Sequence, residues 1–200
     1  FDLAIDTAAE QAASLGGHAI AIDVTDEKSV ADAVAAGVQK GGPPRALINC
    51  AGIGLAARIV GREGKLSTDL FTKTIQVNLI GTYLMMSHTA KEMTSLEPIG
   101  GDGERGVIIN TASVAFEDGQ LGQAAYAASK GGIAGLCLPA ARELGQFGIR
   151  VMNIAPGLFE TPMTDGLPDD IRDVLGSNIP FPSRLGLADE YALMAAQIVE

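Results

Sequence analysis

Three residues in this chain have the types and the spacing for proton chemistry: Ser113, Tyr126 and Lys130. Tyr126 and Lys130 stand four apart in Y-A-A-S-K, so on a helix their side chains share one face, one above the other. Ser113 comes 13 residues before the tyrosine, at the end of V-I-I-N-T-A-S, which reads as a buried strand ending in small polar residues. A strand end followed by a helix can bring a hydroxyl, a phenol and an ammonium together. An ammonium beside a phenol favours the phenolate, and a serine hydroxyl can hold an oxygen on which negative charge develops. Such a trio suits proton transfer to a carbonyl oxygen. Alone, a Y-x-x-x-K pair is more often two neighbours on a helix surface, so its meaning depends on the elements around it.

Those elements alternate. A strand tail at Phe1-Asp2-Leu3 leads into a helix from Ile5 to Leu15, and His18–Val24 is a short β-rich run. Thr25 or Asp26 caps a helix to about Lys40, stopped by Gly41-Gly42-Pro43-Pro44. Ala46 to Asn49 is a strand running into N-C-A-G, and Ile53 to Leu66 is a glycine-rich loop. A long helix, apolar nearly all round, runs from Ser67 or Thr68 to about Met93. Gly106 to Ala112 is a strand, and Gly122 to Gln146 a helix that Pro139 should kink. Ile149 to Ala155 is a strand ended by Pro156-Gly157. Leu158 to Gly186, with prolines at 162, 168, 180 and 182, is irregular with at most short helices, and Ala188 to Glu200 is a closing helix. Strand–helix alternation predicts an α/β fold with a parallel sheet in a single domain over residues 1–200. In such sheets ligands bind beyond the carboxyl ends of the strands. Polar and glycine signals fall there repeatedly, at Asp2, Asp23, Asn49–Gly52, Ser113 and Pro156-Gly157.

Composition agrees. The 200 residues are 47% hydrophobic with 25 glycines, which fits a parallel sheet buried on both faces. The net charge of −10 argues against nucleic acid or an anionic membrane as partner, but leaves room for an anionic cofactor held by helix N-termini. No apolar run is long enough to span a bilayer. Cys50 and Cys137, in small apolar surroundings, read as buried free thiols, and His18 and His88 stand alone, so no metal site is expected.

N-C-A-G, Asn78 in V-N-L, the serine followed 13 residues on by Y-x-x-x-K, and P-G ahead of Thr161 together resemble the classical short-chain dehydrogenase/reductases. The resemblance covers almost the whole chain. It is tightest from Gly106 to Gly186, where G-V-I-I-N-T-A-S-V-A-F-E, R-V-M-N-I-A-P-G-L-F and P-F-P-S-R-L-G are similar to the 3-hydroxyacyl-CoA dehydrogenase branch. It implies a Rossmann-type doubly wound sheet. The family opens with a strand, a T-G-x-x-x-G-x-G turn and a helix, which are not found here, nor is a strand after the closing helix. The expectation is a fragment whose first βα unit and last strand are missing.

The resemblance also implies roles. Tyr126 would exchange the proton, Lys130 favour the phenolate and bind the nicotinamide ribose, and Ser113 orient the substrate oxygen. Asn78 would be a fourth catalytic residue holding a relay water; a satisfied buried amide is its plainer reading. Asp2 would accept the adenosine ribose hydroxyls and repel a 2′-phosphate, favouring NAD over NADP; a helix cap is the plainer reading. Asp23 and Val24 would flank the adenine, and Asn49, Ala51 and Gly52 line the cofactor. Thr161, with the backbone at Pro156 and Leu158, would hold the nicotinamide carboxamide. Gln123 and the loop from Leu158 to Arg184, with Phe159, Met163, Leu167 and Phe181, would shape the substrate pocket. The implied activity is NAD-dependent interconversion of a secondary alcohol and a ketone, first 3-hydroxyacyl-CoA and 3-oxoacyl-CoA. A 17β-hydroxysteroid dehydrogenase, a 3-oxoacyl-carrier-protein reductase and a catalytically silent dinucleotide-binding scaffold are the alternatives. A homotetramer in the cytoplasm, or else the mitochondrial matrix, completes the expectation.

Overall fold

In the computed structural model, which describes residues 1–165 and 169–200, three parallel strands form one sheet. They are β1 (Ala46–Asn49), β2 (Gly106–Thr111) and β3 (Ile149–Ile154), in that spatial order. Before β1 lie α1 (Ile5–Ser14) and α2 (Glu27–Gly41). Between β1 and β2 run α3 (Thr68–Ile75), a π-helical turn (Gln76–Ile80) and α4 (Gly81–Met93). The crossover from β2 to β3 is α5 (Ala124–Gly145), continuous through Pro139. After β3 come the short α6 (Pro162–Asp165), α7 (Asp169–Ser177) and α8 (Ala188–Val199).

Local chemistry sets these boundaries. Asp26 caps α2 by accepting the Lys28 amide at 2.9 Å, and Gly42, at φ 81°, ends it in a conformation that side chains resist. The first five residues of β2 are buried, so both of its faces are covered. On one face Leu47, Ile108, Ile149 and Val151 meet Val30 and Val34 of α2 and Met85, Met86 and Met93 of α4. On the other, Val107 and Ile109 meet Ala195, Tyr191 and Ile198 of α8. Helices on both faces make the sheet doubly wound.

Three expectations need correction. Neither Phe1–Leu3 nor His18–Val24 forms a strand; they meet in one parallel bridge, Asp2 to Ala21, closed by Asp2 N to Ile20 O (3.2 Å) and Ile22 N to Asp2 O (3.1 Å). The backbone beyond Ile22 turns to side chains instead, Asp23 N donating to Ser29 Oγ and Thr25 N to Asp23 Oδ1, both at 2.9 Å. The expected strand pairing gives way to these local bonds. Cys50 is exposed and Cys137 only part-buried, because Cys50 sits where β1 ends and the chain leaves the sheet. Phe181, expected to shape a pocket, is 90% exposed. Leu167 lies outside the described residues.

Candidate active site

The site gathers where β1, β2 and β3 end. One residue from each strand stands in register there, Asn49 beside Asn110 beside Asn153. Asn49 Nδ2 donates to Asn110 Oδ1 at 2.9 Å, both residues buried, and Asn153 Nδ2 donates to the Ile133 carbonyl at 2.8 Å. Buried amides are costly unless bonded. These bonds lock the strand ends to one another and to α5. Asn49, expected to line a cofactor, thus spends its side chain within the sheet.

Two residues past β2 the chain leaves the sheet at Ser113, which is 7% exposed and extended. Its Oγ accepts the Ala115 amide at 3.2 Å and caps a turn over Val114–Phe116 that packs on α5. An oxygen that only accepts there keeps its own proton for another partner. Tyr126, half-buried, lies in the first turn of α5, and Lys130 one turn on. Lys130 Nζ sits over the Tyr126 ring, 5.7 Å from its centroid, and donates to the Thr111 carbonyl at 2.6 Å. Burial lowers the Lys130 ammonium to about 8, the nearby Cys50 thiol opposing that shift. A desolvated cation against an aromatic face is a strong local field.

Asn78 is fully buried in the π turn between α3 and α4, a feature that often marks functional sites. Its Oδ1 accepts Ile53 N (2.8 Å), and its Nδ2 donates to Ile53 O (3.0 Å) and Ser129 Oγ (3.0 Å). This amide ties the loop after β1 to α5 beside Lys130. A Cβ at Gly52 would lie 3.3 Å from Asn78 Oδ1 and 3.8 Å from Lys130 Nζ. A side chain would crowd this space, and a backbone this bare admits the close approach of a flat ligand such as a dinucleotide. Ala51, beside it, is exposed.

The remaining predicted residues spread around this centre. Asp2 is exposed, its Oδ1 accepting the Ala4 amide at 2.8 Å in a local turn before α1. Asp23 Oδ1 accepts the Thr25 amide (2.9 Å) and hydroxyl (2.7 Å), bonds that hold its carboxyl below the usual range. Val24 packs against Gly81 at the start of α4. The Pro156 carbonyl accepts Val114 N at 3.1 Å, joining the exit of β3 to the Ser113 turn. Leu158 and Gly186 close the base of the long loop by Gly186 N to Leu158 O, 2.9 Å. Thr161 opens α6, its amide bonded to Thr164 Oγ1 at 3.0 Å. Met163 of α6 lies across from Gly54, whose missing Cβ gives it room. Gln123 borders an open cleft of about 410 Å³ with Ala57, Arg58, Ile59, Val60 and Leu121, and its Oε1 accepts Gln120 N at 2.8 Å. Phe159 turns away from that cleft onto Gly186.

Four contributors escape a motif search: Thr111, whose carbonyl holds Lys130; Ser129, bonded to Asn78; and Asn110 and Asn153 in the amide row. Ser129 carries a signal, its place between Tyr126 and Lys130. Thr111 carries none, because it acts through its backbone.

The comparisons with known proteins agree with one another. The family model described as short chain dehydrogenase matches residues 3–172. A 3-hydroxyacyl-CoA dehydrogenase type-2 from Bos taurus is 51% identical over 180 residues, covering 89% of this chain and 69% of that protein. The Homo sapiens protein of the same name is 48% identical, over 95% of this chain and 74% of its own length. A crystal structure of 3-hydroxyacyl-CoA dehydrogenase type-2 from Mycobacterium avium superimposes with a TM-score of 0.90 at 41% identity, covering all of this chain and 78% of that one. Most of the chain is matched in sequence and all of it in fold, and it therefore belongs to the short chain dehydrogenases, a family of oxidoreductases that use a nicotinamide dinucleotide.

Proposed function

We propose that this chain is an NAD-dependent 3-hydroxyacyl-CoA dehydrogenase, interconverting a 3-hydroxyacyl-CoA with its 3-oxoacyl-CoA. The observation that carries the reading is the buried Lys130 ammonium set over the Tyr126 ring beside the end of β2. Relatives that bear this activity's name at about half identity support the substrate class.

The nicotinamide, when bound, supplies the hydride acceptor or donor for C3 of the substrate. The protein handles the proton. In reduction Tyr126 donates its phenol proton to the ketone oxygen as that oxygen gains charge, while Ser113 Oγ–H donates to the same oxygen. In oxidation the Tyr126 phenolate takes the hydroxyl proton and passes it to solvent, so that alcohol and NAD yield ketone, NADH and one proton. Lys130 favours the phenolate by its charge, and the Thr111 carbonyl keeps its ammonium in place. Asn78 is assigned a bracing part, holding Ile53 and Ser129 around Lys130, in place of the direct part the resemblance implied. Gly52 and the small Ala51 leave room for a cofactor's flat groups, and the exposed Asp2 carboxylate favours ribose hydroxyls over a 2′-phosphate. Asp23, Val24, Pro156, Leu158 and Thr161 take the adenine and carboxamide parts given above.

A 17β-hydroxysteroid is the second reading, favoured by the apolar Ala57, Ile59, Val60 and Leu121 along the cleft. We also infer self-association through the exposed Phe71, Tyr83 and Leu138 on α3, α4 and α5, which light scattering would read as a mass four times that of the chain. The test of the activity is loss of NADH absorbance with acetoacetyl-CoA, against NADPH and against a 17-ketosteroid. Turnover that survives unchanged in Tyr126→Phe, or none with acetoacetyl-CoA, removes the reading.

A further inference from the structure

Tyr191 lies on α8, across the sheet from the helices that carry Asn78 and Lys130, and no part assigned so far uses its hydroxyl. Its ring packs against the apolar layer of Val107, Ile109 and Ala195, where a phenylalanine would serve equally well. A phenol taken out of water costs free energy unless its oxygen is bonded. This oxygen lies 2.6 Å from Thr111 Oγ1. Thr111 Oγ1 also lies 3.8 Å from Cys50 Sγ, and in the much shorter contact between Thr111 and Tyr191 either hydroxyl can be the donor. Burial pushes the Tyr191 phenol up to about 12, so the phenol keeps its proton throughout the neutral range.

Thr111 is therefore held from two sides. Its side chain is pinned from α8, and its carbonyl accepts Lys130 Nζ at 2.6 Å. It is also the last paired residue of β2, opposite Ile154, just before the chain turns away at Ser113. The end of a strand is where a ladder frays, and a displaced carbonyl there would release the ammonium.

We propose that Tyr191 is a positioning residue of the active site: its hydroxyl, bonded to the Thr111 side chain, fixes the carbonyl that holds the Lys130 ammonium. The proposal rests on the reading of Tyr126 and Lys130 given above. The titratable groups that face Lys130 are Tyr126 from its own helix and Cys50 from the end of β1, with Tyr191 reaching it only through Thr111.

The experiment compares Tyr191→Phe, Thr111→Val, Thr111→Ser and the Tyr191→Phe/Thr111→Val double variant of the whole chain. With acetoacetyl-CoA and NADH, kcat falls roughly three- to tenfold in Tyr191→Phe and Thr111→Val, with KM held within about twofold, as expected when a positioned group loosens. The double variant is no worse than either single one, and Thr111→Ser, which keeps the hydroxyl, recovers most of the rate that Thr111→Val loses. The high-pH limb of kcat moves down by about half a unit or more, because an ammonium without its acceptor is less favoured. Lysine labelled with ¹³C at Cε gives a readout without turnover: the Lys130 resonance, assigned by its loss in Lys130→Arg, titrates at lower pH in Tyr191→Phe. An unchanged Lys130 titration, additive losses in the double variant, or a Thr111→Ser variant as slow as Thr111→Val overturns the proposal. If Tyr191→Phe does not fold, Thr111→Val against Thr111→Ser decides by the same titration. If the wild type turns over no acyl-CoA, the activity proposed above falls, and the titration alone judges Tyr191.

Discussion

The arm from β2 through α5 and the first 24 residues carry different halves of the proposed site, and they are built in opposite ways. In the arm, Ser113 and Lys130 are buried, Asn110 is tied to Asn49, and the Lys130 ammonium is held by a strand carbonyl. At the start of the chain, α1 buries no residue, Asp2 and Asp23 are exposed, and one bridge joins the two segments. Of the groups proposed to meet the reacting atoms, Ser113 and Lys130 are fixed by burial and by hydrogen bonds to Ala115 N and the Thr111 carbonyl. The carboxylates proposed to recognise a cofactor's periphery are exposed and bonded only to residues two positions on, Asp2 to Ala4 N and Asp23 to the Thr25 amide and hydroxyl. Changes in the arm should therefore disturb catalysis or stability steeply, and changes at the start should disturb selectivity alone.

The largest effect should come from Tyr126→Phe. Removing the proton donor should lower kcat by about a thousandfold, with a melting temperature within a few degrees of wild type. A comparable loss from a change at Asp2 would break the contrast between the two regions.

Lys130→Met separates function from stability. Lys130 titrates at about 8 in the folded chain against 10.5 for an ordinary lysine, so between those pH values the unfolded chain binds more protons. Stability then rises with pH across that window, and below it the buried charge costs the fold about 3 kcal/mol. The variant should abolish turnover while unfolding at higher denaturant concentration at pH 7. Its advantage should shrink as pH climbs from 8 toward 10.5, and a constant advantage would mean the charge is not the cause.

Asn49→Leu leaves Asn110 Oδ1 without its donor in the sheet, and should cost about 2 kcal/mol in a urea titration. The smallest effect belongs to Asp2→Ser. It should shift the NADH over NADPH preference about tenfold toward NADPH, with stability changed by under about 0.5 kcal/mol, since the exposed residue has only its local turn to lose. A large loss of stability there would show that the start of the chain is as deeply anchored as the arm.

Spacing and residue type in the chain determined the placing of Tyr126 one turn before Lys130 on a helix, the strands found at Ala46–Asn49, Gly106–Thr111 and Ile149–Ile154, and the helices between them, because these rest on periodicity and local bonds. The tertiary structure decided what depends on partners distant in sequence. The His18–Val24 run reads as a strand, yet it pairs with Asp2 through a single bridge, and its Asp23 amide goes to the Ser29 side chain. Asn78 is bonded to Ile53 and Ser129, and Lys130 Nζ donates to the Thr111 carbonyl, which no residue type announces. Tyr191 reaches the active-site lysine only because α8 packs against the far side of β2. Sequence records side chains and their order; it does not record which backbone atom a folded chain will present to which cation, and that pairing positions Lys130 here.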